Sequence, residues 1–84
     1  MISCDVHGLK FVEGRRRIID TLNSAIIARD DKIEIIHGFN RGENFRNYIS
    51  SSRFRQEMIE EGIYFVEIDN SENPGITICT IEIV

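Results

Sequence analysis

The chain has no tryptophan, a single proline, two cysteines and two histidines in 84 residues. Cys4 and Cys79 stand near opposite ends, so no disulfide framework is expected and both thiols are read as reduced. No apolar run approaches the roughly 20 residues of a membrane-spanning helix. Met1–Asp5 lacks the basic region and apolar core of a signal peptide. The expected location is therefore the cytoplasm, with no membrane partner. Basic residues are missing from one end. Residues 57–84 hold seven acids and no Lys or Arg, whereas residues 1–56 hold all ten basic residues and seven acids. The overall charge of −4 argues against general polyanion binding, yet the basic front part leaves room for a basic face. What is present, 42% hydrophobic and 29% charged residues, suits one folded domain over residues 1–84.

Ile2–Val6 alternates as a short strand and Gly8 ends it. A helix is expected over Phe11–Arg29, with Phe11, Gly14, Ile18, Leu22 and Ala25 on one face. Gly14 on that face is expected to let the helix sit close to a sheet. Arg15, Arg16 and Arg17 point about 100° apart, which excludes a three-arginine patch. Lys32–His37 reads as a second strand. Gly38 and Gly42 bracket a loop, and a second helix follows with Phe45, Tyr48 and Ile49 on one side. Ser50–Ser52 weakens it, so Arg53–Glu61 either continues that helix or forms a separate turn or two, stopped by Gly62. Ile63–Asp69 and Ile76–Ile83 are strands around a turn at Asn70–Gly75. The order β-α-β-α-β-β, with right-handed crossovers, gives a two-layer α/β sandwich. Its mixed four-stranded sheet is expected to carry both helices on one face.

His7 and His37 each precede a glycine at the carboxyl end of a predicted strand, the edge where open α/β sheets bind ligands. Asp5 and His7, two residues apart, share one strand face. A carboxylate orients a neighbouring imidazole and favours its charged form, which suits general acid–base work. The two histidines together offer a base and an acid. Asp5 as a plain loop acceptor is the competing reading. The loop His37–Gly42 and the helix after it form a candidate anion site, with Arg41 and Arg46 adding charge. No Gly-Lys-Ser/Thr follows, so nucleoside triphosphate binding is not expected. The spacing also lacks a tight set of metal ligands.

Asp5-Val6-His7-Gly8-Leu9 and, one helix and one strand later, His37-Gly38-Phe39-Asn40-Arg41-Gly42 resemble the two signatures of the small MutS-related (Smr) domain family. The resemblance covers nearly the whole chain. It implies a nucleic-acid-directed domain whose relatives include DNA-nicking and RNA-cleaving nucleases. Carried over by position, it makes Asp5 and His7 the cleavage candidates and His37, Gly38, Asn40 and Gly42 the binding loop. Asn40 stands where the family has its middle glycine. Asparagine tolerates left-handed backbone better than other side chains, so the loop conformation is compatible with it.

The leading expectation is a stand-alone Smr-like domain that binds DNA or RNA and cleaves its backbone. RNA cleavage through the 2′-hydroxyl needs no cofactor. DNA cleavage needs water as nucleophile and brings in a divalent metal at Asp5. The alternative is a non-catalytic module that binds nucleic acid or the ribosome, and a repair protein is a further partner the resemblance suggests. A third reading is dimerisation through Ile19, Ile26 and Ile27.

Overall fold

The computed structural model describes residues 1–38 and 43–83, and for Glu43 and Asn44 the backbone only. Strand β1, Ile2–Asp5, buries Cys4 and turns Ser3 and Asp5 outward. Helix α1, Phe11–Ala28, buries Gly14, Ile18, Ile19, Leu22 and Ala25, which is the expected stripe widened by Ile19. It ends at Arg29 in a left-handed conformation, φ 57°, where the Arg29 and Asp30 N–H groups donate to the Ile26 and Ala25 carbonyls. Those bonds satisfy carbonyls that the helix end leaves open.

Strand β2, Lys32–Ile36, is one residue shorter than expected. The His37 N–H still donates to the Gly75 carbonyl, its opposite residue in the β4 register, and the ladder ends there because the Gly38 N–H turns back to the same carbonyl. Two helices follow where the sequence left one or two open, α2 (Glu43–Ile49) and α3 (Ser52–Glu60). The break has a local cause. Ser51 is extended and its hydroxyl accepts the Phe54 N–H at 3.2 Å, capping a new helix in place of a third turn of the old one. Gly62, φ +82°, turns the chain after α3.

Strand β3, Phe65–Asn70, begins two residues later than expected. Ile63 is fully buried ahead of it, and a bulge between Phe65 and Glu67 takes Val66 out of register. Strand β4 is Ile76–Ile81. β1 and β2 pair in parallel, and β4 runs antiparallel to both β2 and β3, so the sheet order is β1-β2-β4-β3. Among the described residues the mixed four-stranded α/β fold is thus as expected, with three helices instead of two.

Register places Cys4 beside Ile35, Ile35 beside Thr77, and Ile33 beside Cys79, so these residues share one face of the sheet. All of them are buried, and they merge with the inner sides of the helices in one core that includes Leu22, Ile49, Phe54 and Met58. Burying one such apolar side chain contributes about 1.5–3 kcal/mol. α1 packs on β1 and β2, α2 packs on α3, and the Phe54 ring stacks on Phe65 of β3 at 5.3 Å.

Gly14 is required by a different neighbour from the one expected. A Cβ at this position would lie 2.2 Å from Cζ of Phe45, so α2, not the sheet, approaches α1 there. The three consecutive arginines go three ways. Arg15 reaches α2 and α3, Arg16 stays exposed, and Arg17 reaches β1. Of the residues considered for dimerisation, Ile19 is buried, Ile26 is partly buried and Ile27 is 85% exposed. Both cysteines are buried and unpaired, and burial pushes the Cys79 thiol up to about 12. No helix among the described residues is long and apolar enough to cross a membrane.

Candidate functional site

β1 is an edge strand, and its two-residue period carries the site. Cys4 and Val6 point into the core, and Asp5 and His7 point away from it. The last parallel ladder bond, Val6 N–H to the Ile36 carbonyl at 2.9 Å, fixes this stretch against β2. Gly8 then turns the chain with φ +78°.

Asp5 does both jobs that the sequence left open. Its Oδ1 accepts the His7 backbone N–H at 3.0 Å and lies 3.2 Å from His7 Nδ1. The backbone bond, first, and the imidazole and Arg17 after it hold the Asp5 carboxyl below its ordinary value. A carboxylate can only accept, so the Asp5 contact puts the ring proton on Nδ1 and leaves Nε2 open. The side chains are 69% and 56% exposed for His7 and Asp5, so a large ligand can reach both.

Arg17 is the residue that motif reading missed. Its Nη1 donates to the Asp5 carbonyl at 3.0 Å, across the free edge of β1. The contact spans twelve residues and two elements, and no local pattern announces it. Arg17 also lines a groove of about 710 Å³ between α1 and the β1 edge, with Ser3, Arg16 and Thr21. Glu13 and Asp20 balance the two arginines there, so the groove is close to neutral.

His37 leaves the same edge of the sheet as His7, but its ring lies inside. It is 2% exposed, with Nδ1 3.0 Å from the Gly38 carbonyl and Nε2 2.8 Å from the Thr77 hydroxyl. Both ring nitrogens are engaged, and neither faces solvent. Gly38, φ +83°, lies against His7, since a Cβ built on it would be 3.5 Å from the His7 Cβ. Arg46 is partly buried in α2 and forms no ion pair among the described residues. Asn40, Arg41 and Gly42 lie outside the described residues.

Asp5 and His7 supply two potential metal ligands, one of whose oxygens is already shared by two hydrogen bonds. Among the described residues no three His, Cys, Asp or Glu side chains gather as a metal-binding group.

A second polar cluster joins three helices away from this edge. The Tyr48 hydroxyl donates to Glu57, while Arg15 reaches Tyr48 at 3.0 Å and Glu57 at 3.2 Å. Arg53 donates to Glu57 at 2.8 Å and covers the Tyr48 ring. These donors, Tyr48 first, hold the Glu57 carboxyl down to about 2. Every charged group in it is satisfied within the cluster, which reads as a clamp between helices.

No known family model, curated protein or solved structure matches this chain.

Proposed function

We propose that this chain is a nucleic-acid-binding domain of the Smr type that cleaves the phosphodiester backbone, with Asp5 and His7 as its reacting groups. The observation that carries the reading is the exposed Asp5–His7 contact, 3.2 Å long, at the carboxyl edge of a parallel strand pair. In RNA cleavage, His7 Nε2 takes the proton of the 2′-hydroxyl as that oxygen attacks phosphorus. The bond from phosphorus to the 5′ oxygen breaks, and a proton returns to that oxygen from the imidazolium or from water. Asp5 orients the ring and stabilises the imidazolium while it holds the proton. Arg17, whose guanidinium is held beside Asp5, supplies a positive charge for the phosphate. RNA is the substrate these groups serve unaided, since its 2′-hydroxyl supplies the nucleophile within the strand, whereas DNA cleavage needs water as the nucleophile. We place the activity in the cytoplasm, with the ribosome or a repair protein as further partners.

A second reading has a specific observation behind it. The chain has only two histidines, and both ring nitrogens of His37 are engaged. His7 therefore lacks an imidazole acid to work with, which favours a module that binds nucleic acid or the ribosome without cutting it.

Labelled RNA and DNA of several forms, with and without Mg²⁺, separate the two. On the nuclease reading, RNA is cut without metal, and Asp5→Ala and His7→Ala each remove most cleavage while binding stays roughly intact. Cleavage by both variants at the parent rate refutes the assignment. Binding without any cleavage by the parent leaves the second reading.

A further inference from the structure

We infer that Thr77 and Gly75 are positioning residues for the Asp5–His7 pair, acting through His37 and Gly38. The inference rests on the proposed function only in taking that pair as the reacting centre.

The path runs through hydrogen bonds as far as Gly38. The N–H groups of His37 and Gly38 converge on one acceptor, the Gly75 carbonyl, at 2.9 and 3.1 Å. The His37 ring bridges the carbonyl of Gly38 and the hydroxyl of Thr77. Because the Gly38 carbonyl can only accept, Nδ1 donates to it, and in the neutral ring Nε2 accepts the Thr77 hydroxyl proton. Gly38 is thus held through both its N–H and its C=O, in a left-handed conformation that glycine adopts at little cost.

The held residue neighbours the site. A Cβ on Gly38 would lie 3.5 Å from the His7 Cβ and 4.0 Å from its Cδ2, so only the space of one side-chain carbon separates the glycine from the imidazole. From the other side, a Cβ on Gly75 would lie 3.3 Å from the Gly38 carbonyl carbon. Gly38 is therefore confined between the turn before β4 and His7. Thr77 is fully buried, and its one hydroxyl proton has two acceptors in reach, His37 Nε2 at 2.8 Å and Asn70 Oδ1 at 3.4 Å, of which the nearer is the imidazole. Removing that hydroxyl leaves His37 Nε2 without its buried partner and releases the ring that fixes Gly38. His37 then contributes by placing backbone, with no ring nitrogen left to hold a ligand.

The test uses Thr77→Val, which keeps the side-chain shape and removes the hydroxyl, and Thr77→Ser, which keeps the hydroxyl. The readouts are the His7 imidazole resonances by NMR, RNA affinity, and cleavage at saturating RNA. Thr77→Val is expected to shift the His7 resonances. It should lower cleavage about ten- to hundredfold with affinity roughly unchanged, as for a small misplacement of a reacting group. Thr77→Ser is expected to keep the parent resonances and rate. A folded Thr77→Val protein with parent His7 resonances and parent cleavage overturns the inference. If the parent cleaves no RNA, the proposed function falls, and the His7 resonances still decide the positioning role. Should Thr77→Val not fold, Gly75→Ala presses on Gly38 directly. A shift of the His7 resonances there supports the path, and unchanged resonances overturn it.

Discussion

Gly14→Ala separates two opposing effects at one atom. By helix propensity alone, alanine in place of an interior glycine stabilises a helix by about 1 kcal/mol. The structure predicts the reverse. The added Cβ would sit 2.2, 2.7 and 3.2 Å from three atoms of the Phe45 ring. Ordinary carbon contacts lie at about 3.5–4.0 Å, so the ring must retreat by more than about 1 Å. It has little space to do so, being 5% exposed and stacked on Phe11 at a centroid distance of 5.7 Å. Overpacking of this kind costs about 1–3 kcal/mol. Set against the propensity gain, the expected result is a net loss of about 1 kcal/mol, or about 4–8 °C in melting temperature for a domain of this size. Thermal denaturation of parent, Gly14→Ala, Phe45→Leu and the double variant measures it. In the Phe45→Leu background the obstructing ring atoms are gone, so Gly14→Ala should become neutral or stabilising. A rise of several degrees for Gly14→Ala in the parent background refutes the reasoning.

Nucleic-acid binding should weaken with salt despite the net charge of −4. With Arg17, Arg41, Arg46 and Lys10 as the available cations, log K against log salt should have a slope of about −2 to −4, and a flat response would remove phosphate contact from the picture. Arg41→Ala should weaken binding to all sequences alike and reduce that slope by about one, which titration of one labelled strand at several salt concentrations measures. Acid should loosen the helix clamp. Glu57 has a folded value of about 2 against an ordinary 4.5, so its stabilisation is complete above pH 4.5 and disappears as pH falls towards 2. Melting curves across that window should fall more steeply for the parent than for Glu57→Gln, and equal slopes would contradict the assignment.

Much of the fold was legible because the relevant forces are local. Period-two stretches gave the strands, the 3.6-residue stripe gave α1, and the two-residue spacing of Asp5 and His7 placed them on one strand face. The misreadings concern partners distant in sequence. Gly14 was correctly read as permitting close approach, but the approaching group, Phe45, belongs to another helix. His37 looked equivalent to His7 because both precede glycine at a strand end. Its fate is decided by Thr77, forty residues away, which offers a buried hydroxyl that His7 does not meet. The Ser50–Ser52 run signalled weakness, and the Ser51 capping bond that resolves it into two helices depends on where its hydroxyl points.

The alternation along β1 ties the chemistry of the edge to the hydrophobic core. Cys4 and Val6 are almost wholly hidden, and Asp5 and His7 occupy the intervening outward positions. A slip of one residue against β2 would exchange the two sets, forcing a carboxylate and an imidazole into apolar surroundings while exposing a valine and a thiol. Such a slip carries the cost of burying ionisable groups as well as the loss of core packing. Evolution of this segment is therefore constrained in pairs of residues. An insertion or deletion of two residues changes how far the site projects from the sheet, whereas one of a single residue inverts the strand and removes core and site together.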